Sequence, residues 1–243
     1  MKVLTTAIIK GGAGKTTTAA AIAQAAAAAG RKVLAIDLDP QGNLSAFLAG
    51  DPNRPGSYQL LSGEDPAQLI QHSPQGLDVI TASPDLAAEK TRPGSARRLK
   101  KALEPIKGEY DYIIVDTPPQ MGELTFNALA ASNGLIIPLE TDNSSLQGLY
   151  QIADIAHQMQ RSNPDLQITG AIITRYDGRP NLNRFLLQTI SSKAEENGIP
   201  FLAAIRAGVS IREAQALQQS LFEYAPNSKP AQDYKALFDT IDK

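Results

Sequence analysis

The chain alternates short, unbroken apolar runs with longer stretches in which apolar or alanine positions recur at helical spacing. The runs are Val3–Ile9, Val33–Ile36, Leu77–Ile80, Tyr112–Val115, Leu135–Leu139, Ile168–Thr174 and Ile199–Ala203. Because they do not alternate with polar residues, they predict strands buried on both faces. Between them, helices are predicted over Lys15–Ala29, Ala96–Leu103, Glu123–Ala131, Ser145–Arg161, Asn181–Asn197, Ile211–Ser220 and Pro230–Ile241. Alternation of this kind predicts an α/β fold, a mainly parallel twisted sheet flanked by helices on both faces. Ala19–Ala29 is nearly all alanine and is closed by Gly30, where a helix C-cap would sit. Alanine favours helix and lets it lie close to a sheet, so this stretch reads as packing. Segment 51–94 holds Pro52, Pro55, Pro66, Pro74, Pro84 and Pro93, and reads as connecting structure with short helices.

A length of 243 residues with 42% hydrophobic and 20% charged positions is enough for one domain over 1–243 with a large core. The 23 basic residues against 25 acidic ones give a net charge of -2, which excludes a permanently basic coat for nucleic acid. The average hides two basic regions. Lys90–Lys107 carries +6, from Lys90, Arg92, Arg97, Arg98, Lys100, Lys101 and Lys107 against Glu104. Arg175–Arg212 carries +3, from Arg175, Arg179, Arg184, Lys193, Arg206 and Arg212 against three acids. Either could be an ordinary solvated helix face. The absence of cysteine excludes disulfides, thiolate nucleophiles, Cys-ligated zinc and protein-held iron–sulfur clusters. Val3–Ile9 is too short to span a bilayer, and no stretch approaches 18 apolar residues, so a cytoplasmic protein is expected.

The strongest chemical signal is Lys10-Gly11-Gly12-Ala13-Gly14-Lys15-Thr16-Thr17, between a predicted strand and a predicted helix. That is the setting of a phosphate-binding loop. Its glycines let backbone N–H groups turn toward phosphate oxygens, and the helix that follows adds its positive end. Lys15 would reach the β- and γ-phosphates, Thr16 would ligate magnesium, and Thr17 could donate to the α-phosphate. The common pattern has a glycine where this chain has Ile9, and a second lysine, Lys10, opens the loop. Lys10 is poorly placed to touch its own loop's nucleotide, which points to a phosphate held by another subunit. Asp37 and Asp39 follow the second strand, and Asp116 ends a later one. A carboxylate at the carboxyl end of a buried strand beside a phosphate loop can hold magnesium directly or through water. Taken alone, either carboxylate could equally be a turn acid or a helix N-cap. In the D-x-D pattern, an extended chain would point Asp37 and Asp39 the same way.

The loop resembles the deviant Walker A motif of the ParA/MinD family of ATPases. Asp37-Leu38-Asp39-Pro40-Gln41-Gly42-Asn43 is similar to that family's D-x-D-P-Q-G-N switch, and Val115-Asp116-Thr117-Pro118-Pro119 to its Walker B and second switch. The resemblance covers nearly the whole chain. Gly134–Glu140, Leu146–Gly148, Thr174-Arg175-Tyr176-Asp177-Gly178-Arg179, Glu213-Ala214 and Tyr224–Ser228 are also similar to small ParA/Soj-like partition proteins. A departure falls at Arg206 and Ala207, where the group has proline and arginine ahead of the E-A pair. That segment is usually near the adenine and the DNA-binding face.

The resemblance implies ATP and magnesium as cofactors. It implies Lys10, Lys15 and Asp39 as catalytic residues, with Gly11, Gly12, Ala13, Gly14, Thr16 and Thr17 completing the nucleotide loop and Thr16, Asp39 and Asp116 around the metal. Asp39 would position the attacking water, and Lys10 would cross a dimer interface to the partner's γ-phosphate. It further implies an ATP-bound sandwich homodimer that binds DNA without sequence preference, nucleoid-associated, with a ParB-type centromere-binding partner that stimulates hydrolysis and release. Arg179, Arg184, Arg206 and Arg212 are the DNA candidates.

With the phosphate loop beginning at residue 10, the helix-turn-helix extension of large plasmid ParA proteins is not expected. Nitrogenase-type iron proteins need cysteines. The acidic last helix is unlike MinD's basic membrane helix, so no membrane contact is expected. The alternatives are a ParA-like positioning ATPase for another cargo, a dethiobiotin-synthetase-type ligase, and a non-hydrolysing binding module.

Overall fold

The computed structural model of this chain describes residues 1–89, 95–142 and 144–243. Lys90 and Arg92 of the first basic region, and Pro93, lie outside the described residues. The strands are β1 (Lys2–Thr6), β2 (Val33–Asp37), β3 (Gln71–Ser73), β4 (Leu77–Ile80), β5 (Tyr112–Asp116), β6 (Gly134–Leu139), β7 (Gln167–Tyr176) and β8 (Phe201–Arg206). They form one sheet in the order β3-β4-β2-β5-β1-β6-β7-β8, parallel throughout except for β3 against β4. The α-helices among the described residues are α1 (Lys15–Ala28), α2 (Asn43–Phe47), α3 (Ser57–Ser62), α4 (Pro66–Leu69), α5 (Arg98–Leu103), α6 (Glu123–Ala131), α7 (Ser144–Gln160), α8 (Asn181–Glu196), α9 (Val209–Ala216), α10 (Leu221–Tyr224) and α11 (Lys229–Ile241).

Strand alternation splits the core into layers. Leu4, Val33, Ala35, Tyr112 and Ile114 pack against α1 and α11, whereas Val3, Leu34, Ile36, Ile113 and Val115 pack on the opposite face with α3, α5 and α6. The alanines of α1 fill the first layer: Ala19, Ala20, Ala21, Ala23, Ala25 and Ala26 are all buried. Gly30, just past α1, has the left-handed backbone that ends such a helix. Helix α11 is a packed terminal helix. Its Tyr234, Leu237, Phe238 and Ile241 are buried, and Phe238 meets Tyr112 edge-on at 5.4 Å. Burying one such aromatic contributes about 1.5–3 kcal/mol.

Boundaries moved where apolar residues are buried without being extended. β1 ends at Thr6, and Ala7 and Ile8, the first residues of the loop that follows, are buried in the core without being part of the strand. Likewise, Ile199 is buried in the approach to β8, which runs to Arg206. The helix expected over 211–220 is α9, which starts earlier at Val209 and ends at Ala216, just before Gln218 adopts a left-handed backbone at φ +53°; the short helix α10 begins beyond the expected range, at Leu221. Within 51–94, α3, α4 and the antiparallel pair β3–β4 supply the regular structure among the described residues.

Candidate functional site

The site lies at the carboxyl ends of the central strands, where an open parallel sheet offers a crevice. β1 runs between β5 and β6, and the chain leaves it through the loop 7–14 into α1. Gly12 and Gly14 take left-handed backbones at φ +74° and +89°, and Gly14 is the residue from which α1 starts. A Cβ on Gly14 would stand 3.1 Å from the Thr174 side chain, a tight contact that adds to the strain any other residue would meet at this left-handed backbone. The Thr174 hydroxyl lies 2.9 Å from the Ala13 carbonyl and 3.1 Å from that of Leu139, bracing the loop against β6 and β7.

A cavity of about 780 Å³ opens on this loop. Gly11, Gly12, Gly14, Lys15, Thr16 and Thr17 line one end, and Asp39, Gln41, Asn43 and Pro119 come from the two predicted switch segments. The other wall belongs to the end of β8 and to α9, through Ile205, Val209, Ile211, Arg212 and Gln215. Ala13 is fully buried with its side chain in the core, so its main-chain N–H is what it can offer a ligand. Lys15 is buried, and its Nζ donates to the Lys10 carbonyl at 3.1 Å. Burial lowers its pKa against the opposing pull of Asp116 and Asp39.

Three polar side chains sit in register across adjacent strands: Thr6 pairs with Asp116, and Asp116 with Asp37. Thr6 Oγ1 donates to Asp116 Oδ1 at 3.2 Å, while Asp116 Oδ2 is buried and without a hydrogen-bond partner. Burial and the neighbouring Asp37 raise the Asp116 pKa, against the pull of the Thr16 hydroxyl and the Lys15 ammonium.

Asp37 has a different task. Its Oδ1 accepts from the Asp39 N–H at 3.0 Å, and its Oδ2 accepts from the Ser45 N–H at 2.8 Å and hydroxyl at 2.7 Å. It therefore folds the switch segment, and its own pKa is raised by burial despite those bonds. The expectation of parallel Asp37 and Asp39 side chains is corrected here. The chain turns at the end of β2, and Asp39 lines the cavity with Oδ1 held by the Gln41 N–H at 3.0 Å.

Lys10 is not among the cavity-lining residues. Its Nζ is bound by Asp142 and lies 3.3 Å from Glu140 Oε2, both just past β6. Arg175 also reaches Glu140, and it donates to the Gly12 carbonyl of the loop. In the sequence Arg175 stands in a basic region and in the Thr174–Arg179 stretch, with no role assigned to it. No local pattern flags it, because a shift of backbone to φ +53° at the end of β7 delivers it to the loop.

The four DNA candidates do not share one environment. Arg179 is paired with Asp177 and Arg184 holds the Gly178 carbonyl at 2.8 Å, both exposed around the start of α8. Arg206 forks onto Asp233 of α11 through three side-chain contacts of 2.7–3.1 Å, which fixes and neutralises it. Arg212 lines the nucleotide-loop cavity. In the first basic region, Arg98 is bound by Glu89, and Lys100 donates to Asn163 at 3.3 Å.

The residues fit a magnesium nucleotide. Left-handed glycines open the loop, a buried ammonium waits beside it, and Asp116 keeps an unpartnered carboxylate oxygen. No group of three or more His, Cys, Asp or Glu that could hold a metal ion occurs among the described residues. Fold and loop together define a P-loop nucleotide-binding protein.

Residues 1–168 match the family model described as an AAA domain. The sporulation initiation inhibitor protein Soj of Bacillus subtilis is 34% identical over 242 residues, 96% of this chain and 95% of its own. Cobyrinic acid a,c-diamide synthase from Mycobacterium smegmatis, solved with ADP and magnesium, superposes with a TM-score of 0.84 at 33% identity, over 98% of this chain and 93% of that one. The septum site-determining protein MinD from Pyrococcus horikoshii, complexed with Mg-ADP, does so with a TM-score of 0.83 at 26% identity, over 100% and 96%. The chain belongs to the ParA/MinD family of P-loop ATPases, and the nucleotide and magnesium with which those neighbours were solved are consistent with the ATP and magnesium that its loop fits. No helix among the described residues is long and apolar enough to cross a membrane.

Proposed function

We propose that this chain is a partition ATPase, a single ParA-like domain over 1–243 that works as an ATP-driven switch on DNA. Lys15, Thr16, Thr17 and the N–H groups of Gly11–Gly14 hold the phosphates. Thr16 and Asp116, with Asp39, hold magnesium, which supplies positive charge against the phosphates. Asp39 orients the water that attacks the γ-phosphate. Lys10 serves the partner's nucleotide in an ATP-bound homodimer, the work an arginine finger does elsewhere. The observation that carries this reading is the placement of Lys10, whose Nζ turns from its own cavity to Glu140 and Asp142.

The DNA surface is assigned to the exposed start of α8, through Arg184 and, once its exposed fork onto Asp177 opens, Arg179. Arg184 contacts carbonyls and the Asn181 amide oxygen, so its charge is free for phosphate. One such patch binds weakly; a dimer doubles it, which makes affinity conditional on ATP. A ParB-type partner then accelerates hydrolysis and release near the nucleoid. Retention of DNA of any sequence with ATP, falling steeply with salt and lost with ADP, is the expected result. Equal retention with ADP, or none with ATP, would count against it.

The similarity to a cobyrinic acid a,c-diamide synthase favours a second reading, an ATP-dependent ligase. Lys10 and the Asp37–Asn43 segment favour the switch. Turnover that needs only ATP, magnesium, DNA and a protein activator separates the two, and a positioning ATPase for another cargo would show the same turnover with a different activator.

A further inference from the structure

Behind the cavity, three glutamines tie together segments distant in sequence. Gln75, in the turn between β3 and β4, is buried, and so is Gln24 of α1. Gln24 Nε2 donates to Gln75 Oε1 at 2.7 Å, and Gln24 Oε1 accepts from the Leu221 N–H at 3.2 Å. Gln75 Nε2 spends its two protons on the carbonyls of Phe47, at 2.7 Å, and Gln218, at 2.9 Å. The Gln218 side chain returns the contact, donating to the Ala46 carbonyl at 3.0 Å.

Ala46 and Phe47 are the last residues of α2, and the Ala46 carbonyl also accepts from the Ala49 N–H at 3.2 Å. Two side-chain amides from other parts of the chain add to the bonding at this end of the helix. Gln218 lies just past α9, so the same bonds fasten the end of α2 to the end of α9. Both helices line the cavity, α2 through Asn43 and Phe47 and α9 through Ile211, Arg212 and Gln215.

The backbone at Gln218 is left-handed, at φ +53°. A glycine would take φ +53° without strain, whereas glutamine there is costly. The side chain is what glycine would lose, and its contact is the bond to α2. Ala49, just beyond α2, is likewise left-handed at φ +56°, so both helices end in strained non-glycine turns beside the cavity.

We propose that Gln75, with Gln218, is a positioning residue that couples the α9 wall of the nucleotide cavity to the switch segment carrying Asp39. A nucleotide that orders α9 then also orders residues 39–48, because moving α2 from α9 breaks a bond of the buried Gln75 amide and the bond from Gln218 to Ala46. This rests on the assignment of Asp39 made above.

Amide hydrogen exchange of the full chain with and without Mg-ADP tests it, comparing wild type with Gln75→Met and Gln218→Gly. In wild type, Mg-ADP should slow exchange at 10–17, 209–216 and 39–48. Gln75→Met should keep the slowing at 10–17 and 209–216 and lose about tenfold of it at 39–48. Its ADP affinity should stay within about threefold while kcat falls about tenfold. Gln218→Gly removes strain together with one bond, so it folds and should show the same pattern in weaker form, which decides the matter if Gln75→Met does not fold.

Undiminished slowing at 39–48 in the folded variants would overturn the proposal. So would loss at all three segments together, since Gln75 would then be only a structural support. Normal hydrolysis by Asp39→Ala alongside the expected exchange pattern would remove the role of Asp39 and leave the coupling standing.

Discussion

Lys10 Nζ lies 3.3 Å from Glu140 Oε2, and Asp142 binds the same ammonium, so a lysine of the phosphate loop is engaged by acids at the end of the neighbouring strand. Burial alone would raise the Asp142 pKa, yet the bonds from Lys10, Ser144 and Ser145 outweigh it and bring it down to about 2. A depressed carboxylate contributes stability above its ordinary pKa, and that contribution disappears as pH falls toward 2.

Lys10→Ala is accordingly expected to bind nucleotide as wild type does while losing ATP-driven dimerisation. Hydrolysis should drop by at least about a hundredfold. The Asp142 carboxyl, followed by NMR titration, should move up toward its ordinary value of about 4. A monomeric variant that turned over ATP normally would refute the cross-subunit role.

Asp39→Ala should accumulate as an ATP-bound dimer, because binding is kept while the water is no longer oriented. Removing a group in this role typically costs about 10²–10⁴-fold in rate. Size-exclusion chromatography with ATP reads the dimer, and phosphate release reads the rate; wild-type turnover would take Asp39 out of the mechanism.

The raised pKa of Asp116 has a sign that can be checked. Between the ordinary carboxylate value and the raised one, the folded chain holds a proton that the unfolded chain has released, so the stability of the nucleotide-free protein falls as pH rises through that window. Magnesium requires the ionised form. Mg-ADP binding should therefore release protons, and the rise in Tm that it produces should grow with pH. Calorimetry in buffers of different ionisation enthalpy measures the release, which Asp116→Asn should abolish; equal proton release by that variant would assign it to another group.

Gly14→Ala puts a side chain at φ +89°, with its Cβ 3.1 Å from Thr174. The backbone term alone costs about 1–2 kcal/mol. The loop must shift to relieve the contact, so ADP affinity should fall more steeply than Tm. Unchanged affinity by titration would mean that the turn is not what cradles the phosphates.

The order of strands and helices could be read from hydrophobic period alone, because unbroken apolar runs and an alanine-rich helix leave few other ways to bury a core. The loop from Lys10 to Thr17 was legible for the same local reason, since glycine spacing, lysine and threonine carry their chemistry within eight residues. Short elements such as α2 and β3 were not, as five and three residues are too few to show a period.

Tertiary structure decided which groups meet. It separated Asp37, which folds the switch, from Asp39, which lines the cavity, because the chain turns where an extended D-x-D would not. It brought Arg175 to the phosphate loop, fixed Arg206 on Asp233, and joined Gln24, Gln75 and Gln218 across nearly two hundred positions. Each of these contacts depends on strand register and on the packing of helices over the sheet, distances that no neighbouring residues encode.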